Sequence, residues 1–64
     1  MLQGRTAVIT GASHGLGFEI ASRYVCSGAS VVICAREEEA LHRARKALEQ
    51  IATGEQKVVS CVTD

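Results

Sequence analysis

The residues whose types and spacing most clearly suggest chemistry are three glycines in the stretch TGASHGLG, residues 10–17. Gly11, Gly15 and Gly17 lie between a β-branched run and a segment with helical spacing. To be bound, a phosphate oxygen must come within about 3 Å of a backbone N–H, and a β-carbon at that point would block it. The N–H groups and the positive dipole end of the following helix would complete an anion site. Glycine-rich turns also occur for structural reasons alone, but a strand before and a helix after are the context of a dinucleotide-binding loop.

The second place for chemistry is the end of the next apolar run, where Ala35 is followed by Arg36. Folds of this kind that use NAD place an Asp or Glu there, roughly 20 residues past the loop, to accept hydrogen bonds from the ribose. A guanidinium instead offers paired, charge-assisted hydrogen bonds to a 2′-phosphate. The residue therefore favours NADP(H), with NAD(H) possible. Two alternatives stay open: Arg36 is a solvated partner of the neighbouring glutamates, or one of Glu37–Glu39 replaces the missing carboxylate.

Three short apolar runs must position these residues. They cover Arg5 to Thr10, Ser30 to Cys34 and Lys57 to Val62, and continuous runs of this length suit strands buried on both faces of a parallel sheet. With helices between them, right-handed crossovers give the strand order 3-2-1. The pattern predicts an α/β fold, the N-terminal βαβαβ half of a Rossmann-like, doubly wound parallel sheet.

The two intervening segments have helical periodicity. Gly15 to Ser27 carries two adjacent apolar stripes and is followed by Gly28, a typical helix stop. The stripes are Leu16, Ile20 and Tyr24, and Gly17, Ala21 and Val25. The second segment repeats apolar residues at Leu41, Ala44, Leu48 and Ile51, and Glu37, Glu38 and Glu39 fall in its first turn, where the helix dipole favours anions.

Composition limits the class of protein. The 64 residues are 47% hydrophobic and 22% charged, with seven basic and seven acidic side chains, so net charge gives no reason to expect nucleic acid or an anionic membrane as a partner. No apolar run approaches the roughly 18 residues of a membrane span, and we expect a cytoplasmic protein. A lone half of a doubly wound sheet would expose its first strand as an apolar edge. We therefore interpret residues 1–64 as the N-terminal part of a single dinucleotide-binding domain of a longer protein.

The three cysteines are odd in number and form no CxxC pair. Neither a disulfide framework nor a metal site is indicated. We interpret Cys26, Cys34 and Cys61 as small buried apolar residues, with a reactive or redox thiol as the alternative.

The stretch TGASHGLG also resembles the TGxxxGxG motif of the short-chain dehydrogenase/reductase family, and GRTAVITGAS, VVICAR and VVSCVTD resemble its first three strands in order. The resemblance implies a cofactor role for the loop, with His14 at a position where NADP-preferring members often carry a basic residue, and implies that Asp64 hydrogen-bonds the adenine amino group. His14 as a plain exposed loop residue is the alternative. The implied cofactor-binding residues are Gly11, Ser13, His14, Gly15, Leu16, Gly17, Arg36 and Asp64.

The resemblance further implies an NADP(H)-preferring oxidoreductase that moves hydride between nicotinamide and a small-molecule carbonyl or alcohol, commonly as a homo-oligomer. The family's catalytic Ser and Tyr-x-x-x-Lys lie further along, and Tyr24 is not that tyrosine because Gly28 stands where the lysine would be. No catalytic residue is assigned, and we expect the 64 residues alone to be inactive. The alternatives are a non-catalytic dinucleotide-binding sensor or structural module, and a scaffold whose exposed sheet edge recruits a partner.

Overall fold

The computed structural model describes residues 4–13, 15–53 and 55–63, and the order of elements is strand, helix, strand, helix, strand, as predicted. The bounds differ from the predicted ones by a residue or two. The elements are β1 (Thr6–Thr10), α1 (Gly15–Cys26), β2 (Ser30–Ala35), α2 (Glu38–Ile51) and β3 (Val58–Val62).

The three strands form a parallel sheet with β2 in the middle, which is the predicted order 3-2-1 read from the other edge. The four positions 31–34 of β2 have a partner on both sides, so that Thr10, Cys34 and Cys61 form one row across the sheet. Burial alternates strictly along β2, with Val31, Ile33 and Ala35 buried. Both helices pack on β2 and on each other, and both therefore cover the same face of the sheet. The carboxyl ends of all three strands meet at one edge.

The core lies between this covered face and the two helices. Its largest fully buried side chains are Ile33, Leu41, Leu48, Val25 and Val31. The predicted apolar stripe of α2 is confirmed, with Leu41, Ala44 and Leu48 buried and Ile51 partly buried. The glutamates before it differ slightly from the prediction: Glu37 has extended backbone and precedes α2, and only Glu38 and Glu39 lie in its first turn.

Only one of the two predicted stripes of α1 faces the core. Ala21 and Val25 are buried, whereas Leu16 is 73% exposed and Ile20 and Tyr24 are 39% and 37% exposed. The small residues Gly17 and Ala21 let this side of the helix lie close to the sheet. The stripe of larger residues is one position earlier in the sequence, so it lies about 100° away around the helix axis.

The cysteine prediction is also wrong. Cys26 and Cys61 are exposed and Cys34 is half-buried. Cys34 and Cys61 follow the alternation of their strands onto the sheet face that α1 and α2 leave uncovered, together with Val8, which is 68% exposed. None of the helices in the described ranges is long and apolar enough to cross a membrane.

Gly28 ends α1 as predicted. Its φ of 96° is in the left-handed region, where glycine has no Cβ penalty. The N–H of Gly28 donates to the carbonyl of Val25 and the N–H of Ala29 donates to that of Tyr24, both at 3.0 Å. These two bonds form a Schellman motif, which satisfies carbonyls that the helix end would otherwise leave unpaired.

Gln56, in the connection before β3, ties this helix end to the end of α2. Its Nε2 donates to the carbonyls of Val25 at 3.0 Å and Ala29 at 2.6 Å, and its Oε1 accepts from the N–H of Thr53 at 2.8 Å. One side chain thus bonds to three backbone groups: one in the last turn of α1, one in the connection after α1 and one in the connection after α2.

We expect Gln56→Ala to lower the stability of the full-length protein by about 1–3 kcal/mol, because partly buried backbone groups lose their partner. Gln56→Glu is expected to cost at least as much, since a carboxylate would face two carbonyl oxygens. Urea denaturation measures both, and Gln50→Ala on the exposed side of α2 is the matched control. Equal urea midpoints for Gln56→Ala and Gln50→Ala would show that these hydrogen bonds are not stabilising.

Candidate nucleotide-binding site

The connection between β1 and α1 needs its three glycines for two different physical reasons. Gly11 and Gly15 have φ values of 65° and 68°, and a Cβ added at either would meet open space. Gly17 has ordinary helical backbone, but a Cβ there would lie 2.9 Å from the carbonyl carbon of Gly11 and nearer still to its oxygen. Gly17 therefore permits a close contact between the first turn of α1 and the loop itself.

Backbone hydrogen bonds hold the loop against the end of β2. The N–H groups of Gly11 and Ala12 both donate to the carbonyl oxygen of Cys34, at 2.8 Å and 3.3 Å, and the side chain of Ala12 is fully buried. Sequence reasoning missed both anchors. A small apolar residue between the glycines is a weak signal for the buried Ala12, and a backbone acceptor such as the Cys34 carbonyl leaves no signal in the sequence.

A depression of about 360 Å³ opens at the carboxyl ends of the strands. Three of the predicted site residues line it: Gly11 and Ser13 from the connection after β1, and Arg36 from the connection after β2. Its remaining lining residues are Thr10, Cys34, Ala35, Glu37 and Thr63. Thr63 continues the sheet, because its N–H donates to the carbonyl of Ala35 at 2.9 Å. In open α/β sheets, ligands bind in the crevice at this edge.

The electrostatics of the two helix starts differ. The first turn of α2 contains Glu38 and Glu39, which compensate the positive end of its dipole, whereas the first turn of α1 contains no acidic residue. The N–H groups at the start of α1, including that of Leu16, have no acceptor within the helix. The uncompensated helix end therefore adjoins the glycine loop, and an anion there would be stabilised.

Arg36 is exposed at the rim of the depression. The ion pairs formed among residues 4–13, 15–53 and 55–63 join Arg23 to Glu19 and Arg45 to Glu49, and neither includes Arg36. The alternative in which Arg36 pairs with a neighbouring glutamate is not observed. Glu37, however, lines the same depression, so the alternative of a carboxylate supplied by this residue keeps its geometric support.

The other predicted site residues are placed as follows. Ser13 is half-buried in the depression wall, and the side chain of Leu16 is strongly exposed and is not packed into the core. His14 and Asp64 lie outside the described residues. The structure thus brings Gly11, Ser13, Gly15, Leu16, Gly17 and Arg36 to one edge of the sheet.

Comparison with known proteins agrees with this geometry. The family model described as short chain dehydrogenase matches residues 5–64. The chain is 44% identical over 62 residues to 1-deoxy-11-beta-hydroxypentalenate dehydrogenase of Streptomyces exfoliatus, which covers 97% of this chain and 21% of that protein.

Solved structures are also similar. A short-chain type dehydrogenase/reductase from Mycobacterium ulcerans superposes with a TM-score of 0.93 at 33% identity, over 98% of this chain and 23% of that one. L-sorbose reductase from Gluconobacter frateurii, solved with NADPH and L-sorbose, superposes with a TM-score of 0.88 at 36% identity, over 98% and 23% of the two chains. The chain spans about a fifth of the length of the relatives it matches.

Proposed function

Because the chain belongs to the short chain dehydrogenase family, we propose that it is the nucleotide-binding part of an oxidoreductase that transfers hydride between a nicotinamide and a small-molecule carbonyl or alcohol. The observation that carries the proposal is the depression shared by Gly11, Ser13 and Arg36 beside the uncompensated start of α1. Backbone donors, open space at two glycines and one cation at the rim are the groups that a dinucleotide with several phosphates requires.

The residues present fit this cofactor. In the proposed arrangement the backbone at Gly11, Gly15 and Leu16 would receive the diphosphate, and Ser13 would add a hydroxyl. Arg36 would hold a 2′-phosphate, and Asp64 the adenine amino group. When bound, the nicotinamide supplies or accepts the hydride. The residues of this chain bind and orient the nucleotide, and none of them is proposed to exchange the proton.

NADP(H) preference is the finer part of the proposal. It is supported by a guanidinium at the rim that pairs with none of the described carboxylates and by the absence of an acidic residue at position 35 or 36. The similar L-sorbose reductase was solved with NADPH. NAD(H) is the alternative that Glu37 favours, because a carboxylate in the depression could accept hydrogen bonds from ribose hydroxyls. We further propose a homo-oligomeric, cytoplasmic parent protein that binds no nucleic acid.

The test is calorimetric titration of the folded full-length protein with NADPH and with NADH. We expect saturable binding of both, with NADPH at least about tenfold tighter, since a charged hydrogen-bond pair contributes about 1.5–3 kcal/mol. Failure to bind either nucleotide at millimolar concentration would overturn the nucleotide site. Equal affinities would overturn the NADP(H) preference alone.

A non-catalytic dinucleotide-binding module is the second candidate function, because this fold does not fix chemistry. A module of that kind would bind NADPH in the same titration but would oxidise none of it in the presence of a panel of aldehydes and ketones. The sequence beyond residue 64 provides a second criterion. An oxidoreductase is expected to contain a Ser followed by Tyr-x-x-x-Lys there.

His14 yields a prediction about pH. If its imidazole faces the 2′-phosphate, the affinity for NADPH should fall as pH rises through the histidine's titration, whose ordinary pKa is about 6.5, because the attractive cation is lost. Since the phosphate itself also titrates, the relevant quantity is the difference between the wild-type and His14→Gln profiles. NADH, without that phosphate, should show no such difference. Superimposable wild-type and His14→Gln profiles for NADPH would leave His14 as a plain loop residue.

A further inference from the structure

The amino-acid sequence of β3 does little to fix its register against β2. The register places Val58, Ser60 and Val62 beside the buried positions of β2, on the face that the helices cover. Val59 and Cys61 alternate with them and lie on the opposite face. A shift of one residue would exchange the two sets. Both sets are small and mainly apolar, and both faces of a doubly wound parallel sheet are buried, so the hydrophobic effect does not select between the two registers.

The side chain of Gln56 supplies a fixed point two residues before the strand. Its Nε2 donates to the carbonyls of Val25 and Ala29, and its Oε1 accepts the N–H of Thr53. Val25 lies in the last turn of α1 and Ala29 in the connection after it, and both are buried, so the core holds these two acceptors in place. Thr53 follows α2. The segment that leads into β3 is thus tied to the ends of both helices.

A shift of β3 by one residue would break the hydrogen bonds of Gln56. Such a shift moves the strand by about 3.3 Å along its axis, whereas Nε2 of Gln56 lies 2.6 Å and 3.0 Å from its two acceptors. The next residue, Lys57, is held in the same register. Its N–H donates to Oγ of Ser30 and its carbonyl accepts the N–H of Val31, both at 2.9 Å. Gln56 and the first bonds of the strand therefore select one register together.

The register of β3 determines which residue its other end presents to the depression. In the observed register the N–H of Thr63 donates to the carbonyl of Ala35, and Thr63 lines the depression together with Arg36. Asp64, proposed above to bind the adenine amino group, is the next residue in the sequence. A shift of one residue would move Thr63 by about 3.3 Å. Hydrogen bonds tolerate only a few tenths of an ångström, so a displacement of this size removes those made to a nucleotide.

We propose that Gln56 is a positioning residue for the adenosine half of the cofactor, and that it acts through the register of β3. It is not among the residues that line the depression, and it lies before the opposite end of the strand. Its effect on binding rests on the proposed nucleotide site, whereas its effect on the register requires no bound nucleotide. The two effects are therefore measured separately.

The experiment uses the folded full-length protein. Hydrogen exchange with mass spectrometry compares the peptide that contains β3 with the peptide that contains β1. Calorimetric titration uses adenosine 2′,5′-bisphosphate, which is the adenosine half of NADPH. In Gln56→Ala we expect exchange in β3 to accelerate at least about tenfold more than exchange in β1, and the affinity for the bisphosphate to fall about tenfold. Gln56→Glu keeps the shape but has no donor for the two carbonyls, so it should give the same pattern.

Ala47→Gly is the control for a general loss of stability. It weakens α2 through backbone entropy at an exposed position, away from the contacts of Gln56. It should accelerate exchange in β1 and β3 equally and leave the affinity for the bisphosphate unchanged.

Equal acceleration of β1 and β3 in Gln56→Ala would overturn the role in register. Faster exchange in β3 alone, with unchanged affinity for the bisphosphate, would overturn the positioning role. A wild-type protein that bound neither the bisphosphate nor NADPH would overturn the proposed function and the positioning role with it, and the exchange pattern would still report on the register.

Discussion

Gly17→Ala is expected to weaken nucleotide binding by the full-length protein about a hundredfold or more. The added Cβ would overlap the carbonyl group of Gly11 and would lie 3.1 Å from the Cα of Ala12, so either the loop or the first turn of α1 must move. The loop has little freedom to do so, because its N–H groups are bound to the carbonyl of Cys34 and Ala12 is buried. Hydrogen bonds to a charged group contribute about 1.5–3 kcal/mol each, so loss of the backbone donors to a phosphate lowers the affinity on the order of a hundredfold. Titration with NADPH measures the effect.

The sign of the change in stability gives an independent check. In an unconstrained helix, glycine to alanine stabilises by roughly 0.5–1 kcal/mol, whereas overpacking a close contact destabilises by about 1–3 kcal/mol. We therefore expect Gly17→Ala to lower the urea midpoint, contrary to helix propensity. A variant with a raised midpoint and unchanged affinity for NADPH would show that the contact with Gly11 is not a constraint.

Gly28→Ala is the matched control for this prediction. Its φ of 96° also penalises a Cβ, but the residue lies at the far end of α1, in the Schellman motif. It should lose stability and keep its affinity for NADPH. The pair of variants thus separates a general loss of stability from a specific change in the loop.

The elements could be predicted from the sequence because each depends on a local pattern. Continuous β-branched runs specified the three strands, and the leucine spacing of α2 specified its buried face. The glycine loop was predictable for the same reason. The turn at Gly11 has a positive φ and the close contact at Gly17 leaves no room for a Cβ, so both positions require glycine, which is visible in the sequence. Strand order followed from the handedness of the two crossovers.

What could not be predicted depends on contacts between distant segments. Periodicity predicted two apolar stripes on α1, but which of them is covered depends on how near the helix lies to the sheet. The stripe with the smaller residues allows the nearer approach, and its members Ala21 and Val25 are the buried ones. The cysteines were misplaced because their burial depends on a layer above the second face of the sheet. Gln56 joins groups 27 and 31 positions away, and nothing in its neighbourhood in the sequence indicates that role.

Arg36→Asp is expected to lower the affinity for NADPH about a hundredfold and to leave that for NADH equal or higher. The guanidinium is exposed at the rim and none of the described carboxylates pairs with it, so it is available to a 2′-phosphate. The substitution removes a charged hydrogen-bond pair and adds a carboxylate that repels the phosphate but accepts hydrogen bonds from an unmodified ribose. Titration calorimetry with the two nucleotides gives the ratio of affinities directly. Arg43→Asp, on the exposed side of α2, makes the same charge change away from the depression and should leave that ratio unaltered.

Glu37→Gln distinguishes two hypotheses about cofactor preference: that Arg36 binds the 2′-phosphate of NADP(H), or that Glu37 binds the ribose hydroxyls of NAD(H). If Arg36 sets the preference, removing the adjacent negative charge should raise the affinity for NADPH slightly, because repulsion of the phosphate is relieved, and should leave NADH unchanged. If Glu37 instead holds the ribose hydroxyls, Glu37→Gln should weaken NADH binding by about tenfold, and Arg36→Asp should leave the ratio of affinities as it was. The two variants therefore give opposite patterns under the two hypotheses. Because neither side chain is buried or contributes to the core, a change in folding does not produce either pattern.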